Sequence, residues 1–274
     1  RRFKVGSIRD HILGFRGVNG KGDIFKSGGT VVKNVTGYDL SKLVTGSFGT
    51  LAVLTEITFK VLPKKDSIST LIIYSENNKV ISNLFNQLLS SSNEISGAVY
   101  IPVEPNNKNY KKNIEKIFKF NNLKSEEPFV AVRIEGSKKS INERMQGIFQ
   151  ELQMNKMKTS ILDFYQSKLF WEKINNLELF AGTKNNVLRV VVPPATSLDL
   201  MKYLKNDFKY YIDWCGSLFW IEVLEEKNIQ IKKIKETIIN LGGYLTIVKK
   251  SESLSSDIDL FTINDTRLLL SQKI

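Results

Sequence analysis

The sequence has one cysteine, Cys215, and one histidine, His11. A single thiol makes no internal disulfide and cannot by itself anchor a zinc or iron–sulfur centre. A single imidazole excludes the common histidine-based metal sites and any mechanism that needs two histidines. No run approaches the roughly 18 consecutive apolar residues that a membrane-spanning helix needs. The first residues, Arg1-Arg2-Phe3-Lys4-Val5-Gly6, are basic but no apolar stretch comes after them, so they do not read as a secretory signal. There is no initiator methionine, and the chain is expected to start inside a longer protein. Low cysteine usage fits a reducing, cytoplasmic location.

The composition, 42% hydrophobic and 25% charged, is that of a soluble globular protein. A chain of 274 residues can form one large domain or two ordinary ones. The formal net charge is +12, and it is uneven: residues 1–65 hold 12 Lys and Arg against 4 Asp and Glu. Such an excess can face nucleic acid, an anionic cofactor or an anionic membrane surface. Lysine, asparagine and isoleucine are all abundant, a bias that an AT-rich genome also produces. No arginine-rich run and no nucleic-acid-binding module is present, so nucleic acid is not an expected partner.

Ten of the 17 glycines fall in residues 1–63. Among them lie two β-like runs, Ile12–Val18 and Val53–Leu62, and a helix-like run, Tyr38–Val44. Pro63-Lys64-Lys65-Asp66 reads as a boundary. Beyond it, strand-like runs at Thr70–Tyr74, Ala98–Pro102, Phe129–Ile134, Val187–Val192, Leu218–Val223 and Tyr244–Val248 alternate with amphipathic runs. The latter lie near Lys79–Leu89, Lys111–Phe118, Lys138–Gln153, Leu169–Leu177, Ser197–Leu204 and Ile229–Leu241. Ile231, Ile234, Ile238 and Leu241 share one helical face. Asn106-Asn107-Lys108-Asn109 reads as a polar loop, and no fixed-period repeat is visible. The expected class is α+β.

The chemistry is concentrated between Gly6 and Pro63. Three pieces stand out: Gly6-Ser7-Ile8-Arg9-Asp10, then Lys33-Asn34-Val35-Thr36-Gly37-Tyr38-Asp39-Leu40, then Gly46-Ser47-Phe48-Gly49-Thr50-Leu51-Ala52-Val53-Leu54-Thr55. In the third, glycines punctuate a turn that enters a strand, so backbone groups can meet a planar ligand or a phosphate directly, with Ser47 and Thr50 hydroxyls beside them. Taken alone, such glycines are also ordinary turn residues. The segment is not a Walker loop, since no Gly-Lys-Ser/Thr comes after it, nor a Rossmann fingerprint, since a strand stands where a helix should.

Together the three pieces resemble the FAD-binding domain of the vanillyl-alcohol oxidase and p-cresol methylhydroxylase superfamily, and the middle one resembles its glycolate oxidase branch. Leu169-Phe170-Trp171, Leu188-Arg189 with Pro193, and Ile212-Asp213-Trp214 with Gly216 and Trp220 are similar to the E-type subunit of bacterial glycolate oxidases. The likeness is strong over residues 1–65 and scattered but collinear to about residue 250. It implies the C-terminal half of a PCMH-type FAD-binding domain over 1–65, an α+β cap or substrate domain with a mainly antiparallel sheet over 66–250, and a helical C-terminal segment, 251–274, returning to the FAD domain. The family's pyrophosphate loop would lie before Arg1, and its Asn-Pro-Gly tail after Ile274.

The resemblance carries cofactor contact to Ser7, Ile8, Arg9, Asp10, Gly46, Ser47, Gly49, Thr50, Val53 and Thr55, largely through backbone. Ala52 departs from the pattern, which has glycine there. Lys33, Asn34, Tyr38 and Asp39 match the motif; equally, Asp39 can simply cap the helix and Tyr38 pack beneath it. His11 beside a turn reads as structural. Trp171, Trp214 and Trp220 fit core packing, with cavity lining as the other reading.

For function, the resemblance implies FAD-dependent oxidation of a small 2-hydroxy acid, glycolate to glyoxylate. It also implies a D-type flavoprotein and an iron–sulfur subunit as partners, with peripheral membrane association through them. Such oxidation needs a base for the hydroxyl proton and cations for the carboxylate. Related D-type subunits use histidines and a metal, which this chain cannot supply. Arg133 and Arg189 could bind a carboxylate, or be solvated or ion-paired. The alternatives are a non-catalytic assembly or electron-relay subunit, and a free-standing oxidase of a related acid such as D-lactate.

Overall fold

The computed structural model describes residues 2–32, 37–103, 108–153, 157–205, 207–227, 229–256, 258–262 and 269. The chain divides into two compact units, Arg1–Lys64 and Lys65–Ile274. Among the described residues no helix is long and apolar enough to cross a membrane.

The first unit begins with a short helix, α1 (Arg2–Val5), and is built on three antiparallel strands. β1 (Ile12–Val18) is central, between β2 (Ile24–Gly28) and β3 (Val53–Phe59). The β1–β2 turn is local chemistry: Asn19 Oδ1 accepts from the backbone of Lys21 and Asp23 at 2.9 and 3.0 Å. Gly14 pairs with Gly28 across these strands. A Cβ on Gly28 would lie 2.1 Å from the Leu13 carbonyl oxygen, so the backbones approach as only glycine allows. Between β2 and β3 lies α2 (Leu40–Val44), capped by Asp39, whose Oδ1 accepts from Lys42 N at 3.2 Å. The buried apolar residues here are few, Ile12, Phe15, Val44 and Ala52, while Val53, Ile57 and Phe59 of β3 stay exposed.

The described residues of the second unit carry eight strands: β4 (Ser67–Tyr74), β5 (Gly97–Ile101), β6 (Phe129–Gly136), β7 (Thr159–Leu162), β8 (Asn186–Val191), β9 (Lys209–Asp213), β10 (Leu218–Val223) and β11 (Tyr244–Lys249). They form one antiparallel sheet in the order β11-β8-β10-β9-β5-β6-β4-β7. Among the described residues six helices accompany it: α3 (Asn78–Ser90), α4 (Lys108–Ile117), α5 (Lys138–Glu151), α6 (Phe164–Asn175), α7 (Ser197–Leu204) and α8 (Gln230–Asn240).

This order contains the same plan twice. β4, α3, β5, β6, α5 and β7 form a split strand–helix–strand–strand–helix–strand module, and β8, α7, β9, β10, α8 and β11 form another. The two meet edge to edge where Tyr100 of β5 pairs with Ile212 of β9. The repeat lies in topology rather than in residue period, so it leaves no mark in the sequence. The added helices α4 and α6 pack on one face of the sheet, where Ile114, Phe118 and Phe170 join Ile72, Ile101 and Phe129 in a single cluster.

The α+β class is what the sequence predicts, and the mainly antiparallel sheet is what the resemblance implies. Three elements match residue for residue: β1, β10 and α7. Three strands escape prediction. β2 is short and ends in glycine, β7 is a four-residue edge strand, and β9 is a five-residue strand only four residues beyond a helix. Helix α6 starts at Phe164 rather than Leu169, because Asp163 and Gln166 cap each other's backbone N–H groups at 2.9 and 3.2 Å. Lys108 and Asn109, expected in a loop, open α4. β3 ends at Phe59, short of Leu62. Of the segment 251–274, the described residues before 263 run as turns and extended chain, with Phe261 bridged to Thr246.

Candidate functional site

Helix α2 stops where Thr45 Oγ1 donates back to Ser41 O at 2.7 Å. The chain then turns through three left-handed residues, Gly46 (φ +87°), Phe48 (φ +54°) and Gly49 (φ +79°). The turn is closed by Ser47 N to Val44 O at 3.2 Å and by Thr50 N to Ser47 O at 3.0 Å. A Cβ on Gly46 or Gly49 would meet nothing within 4 Å. Internal packing therefore does not demand glycine at these two positions; the backbone conformation does, and it leaves the peptide bare toward the outside.

Outside that turn lies an open cleft of about 460 Å³. Its walls are Ile8, Ile12, the segment Val44–Gly49, and Ala52, Val53, Leu54, Ile57 and Phe59. Of the ten residues expected to contact a cofactor, Ile8, Gly46, Ser47, Gly49 and Val53 reach this cleft. The other five build its frame. Asp10 Oδ2 accepts from the backbone N and the hydroxyl of Ser7, both at 2.7 Å. That backbone hydrogen bond first, and then the hydroxyl, hold the Asp10 carboxyl below the ordinary carboxylate range. Arg9 Nε donates to Lys42 O at 3.3 Å. Thr50 Oγ1 donates to Ser47 O at 2.7 Å. Thr55 lies at a register shift of β3 against β1, where its hydroxyl donates to Arg16 O at 3.2 Å.

Tyr38 is 93% exposed and so does not pack beneath α2, whereas Asp39 is the helix cap. Lys33 and Asn34 lie outside the described residues. Ile12, Val44, Phe48, Leu54, Ile57 and Phe59 are cleft walls that the motifs do not single out. On β3 they show themselves only in the structure, as apolar side chains left exposed, with Ile57 42% and Phe59 49% accessible.

His11 is a tie between chain segments, its Nε2 lying 2.7 Å from Val5 O and its Nδ1 3.2 Å from Lys60 O. Arg133 is likewise structural: Nε donates to Ser96 Oγ at 3.0 Å, Nη2 donates to Ser96 O at 2.9 Å and lies 3.7 Å from Glu135, and the guanidinium stacks on Trp171. Trp171 is core, with Nε1 donating to Thr70 Oγ1 at 2.9 Å. Trp214 and Trp220 are half-buried. Burial pushes the Cys215 thiol well above its ordinary range, so it stays protonated and unreactive. Among the described residues no three His, Cys, Asp or Glu side chains gather as metal ligands. Elemental analysis of the washed protein is expected to show no stoichiometric zinc or iron; a reproducible one-to-one content would overturn this.

The fold has counterparts among solved structures. The solved structure of alkyldihydroxyacetonephosphate synthase matches it with a TM-score of 0.59 and 20% identity, over 88% of this chain and 50% of that one. In sequence the chain is a relative of the glycolate oxidase subunit GlcE of Escherichia coli K12, 30% identical over 248 residues, which is 90% of this chain and 57% of GlcE. A D-lactate dehydrogenase of Anaerostipes hadrus is 44% identical over 77 residues, 28% of this chain and 16% of that protein. No family model matches. The chain thus spans about half the length of GlcE and of the synthase.

Proposed function

We propose that the protein is the FAD-binding subunit of a 2-hydroxy-acid oxidase complex that converts glycolate to glyoxylate and passes the electrons on through the flavin. The observation that carries this reading is the bare backbone of Gly46–Gly49 opening onto an apolar cleft. The names of the two relatives, one acting on glycolate and one on D-lactate, agree with a 2-hydroxy acid as substrate.

The residues present fit the flavin. A planar aromatic ring system needs a flat approach to backbone and apolar walls, and an added Cβ at Gly46 or Gly49 would stand in open space where such a ring would lie. When bound, FAD supplies the acceptor for a hydride from the substrate's α-carbon. Around it, Ile8, Val53, Ile57 and Phe59 would exclude water, and the Ser47 hydroxyl would offer a donor. The word subunit in the name of GlcE supports assembly; the partners proposed are a D-type flavoprotein and an iron–sulfur subunit, at the cytoplasmic face of the membrane. A second reading, an assembly or electron-relay subunit without its own turnover, is favoured by the engagement of His11 and Arg133 in structure.

Gly49→Val in the full-length protein tests the cofactor site. Nothing inside the protein lies near the new side chain, so the fold should survive, while the branched residue at φ +79° strains the turn and fills the cleft mouth. The expected result is flavin absorbance depleted several-fold with near-native far-UV circular dichroism. Full flavin occupancy would return Gly49 to the ordinary turn residues and remove the basis of the reading.

A further inference from the structure

The second unit holds a cleft of its own, of about 480 Å³, at one end of the large sheet. Tyr74 ends β4 there, Val103 lies just beyond β5, Pro128 just before β6 and Lys158 just before β7, while Lys111 of α4 forms one wall. The walls are tied to one another. Tyr74 N donates to Lys158 O at 3.0 Å, and Ser75 N donates to Pro128 O at 3.1 Å. The Tyr74 hydroxyl accepts from Lys124 N at 2.9 Å and shares a hydrogen bond with Ser160 Oγ at 3.2 Å. The cleft is therefore preformed by the strand ends, as small-molecule sites usually are.

Its five charged side chains fall into two sets. Lys158 Nζ donates to Glu127 Oε1 and lies over the Tyr74 ring, 5.1 Å from the centroid. The hydrogen bond to Glu127 above all raises the Lys158 ammonium, so it stays charged at neutral pH and offsets Glu127. Lys111, Glu76 and Glu126 differ. Among the described residues none of the three has a hydrogen bond or an ion pair. They come from three places in the chain: α4, the turn between β4 and α3, and the loop before β6. They line one cleft, yet the lysine pairs with neither carboxylate.

Opposite charges that share a cleft and are held apart by its frame can be bridged by a ligand carrying both signs. Its ammonium would meet the glutamates and its carboxylate the lysine. Val103, which is 4% exposed, and the rings of Tyr74 and Pro128 supply apolar surface in the same cleft. We propose that this cleft binds a free α-amino acid with a small apolar side chain. The site is independent of the function proposed above.

Isothermal titration of the full-length protein with L-leucine, isocaproate and isoamylamine tests this, since isocaproate lacks the ammonium of leucine and isoamylamine its carboxylate. The parent should bind leucine, and each analogue at least about 10-fold more weakly. Lys111→Met should weaken leucine binding roughly 10-fold and leave isoamylamine unaffected. Glu76→Gln combined with Glu126→Gln should weaken leucine and isoamylamine alike. Flavin content and unfolding temperature should stay at parent values in both variants. The ligand series on the parent decides the matter even where a variant folds poorly. Isoamylamine binding as tightly as leucine would reduce the cleft to a plain cation site and overturn the assignment. Parent-like leucine affinity in both folded variants, or no leucine binding by the parent, would overturn it as well.

Discussion

Glu222→Ala is expected to destabilise the protein by about 3–5 kcal/mol, because it removes a buried carboxylate and leaves a half-buried lysine without its partner. Lys209 of β9 and Glu222 of β10 are register partners, with Nζ 3.0 Å from Oε2 and side chains only 17% and 8% exposed. Lys209 also lies over the Tyr110 ring at 5.7 Å and the Phe180 ring at 5.1 Å, surroundings that stabilise a cation only in part. Glu222 accepts further hydrogen bonds from the Thr183 hydroxyl and, at 3.0 Å, from Asn185 Nδ2. Burial works to raise the Glu222 carboxyl, but Thr183, Lys209 and Asn185 together hold it below the ordinary range. A carboxyl lowered on folding stabilises above its unfolded value, about pH 4.3, and that contribution is lost as pH falls through the folded value. The gap between parent and variant in urea unfolding should therefore be full near neutral pH and shrink in acid. In a unit of about 200 residues the loss should lower Tm by roughly 6–20 °C. Glu222→Leu combined with Lys209→Met should recover much of it. A loss under about 1 kcal/mol would place the pair with exposed ion pairs instead.

That network shows why parts of this molecule were legible in the sequence and others were not. The glycine turn was legible because its cause is local: positive φ at Gly46 and Gly49 is written in the residues themselves. Helices with their own caps, such as α3 with Asn77 accepting from Lys79 N at 3.0 Å, were legible for the same reason. Partners distant along the chain were not. Thr55 faces Arg16 O because of a register shift, and register is a property of two strands together. Arg133 and Arg189 occupy similar apolar runs, yet Ser96 and Glu135 hold the first and Trp214 stacks on the second. β9 was hidden although it carries Lys209 and Asp213, since a five-residue strand soon after a helix announces itself chiefly through pairing with β10. The cleft walls contributed by β3 were hidden because exposed apolar residues on a strand gain meaning only once the turn beside them is in place.

The isolated full-length subunit is expected to oxidise glycolate roughly 10²–10⁴-fold more slowly, per bound flavin, than the assembled complex, the range that absence of general-base help alone produces. The substrate hydroxyl must lose its proton as hydride leaves the α-carbon. The sole imidazole in the sequence, His11, has both ring nitrogens within 3.2 Å of backbone carbonyls. Cys215 is buried and held protonated. No described cluster of three acidic, His or Cys side chains could hold a metal to acidify the hydroxyl. This chain places none of these groups free to act, and the proposed source of the base is a partner subunit. Co-expression with a D-type flavoprotein and an iron–sulfur subunit should give a co-purifying complex with restored turnover. The measurement is steady-state glycolate oxidation with an artificial acceptor, normalised to bound flavin. If the isolated subunit equals the complex on that scale, it carries a base of its own, and a self-sufficient 2-hydroxy-acid oxidase replaces the assembly reading.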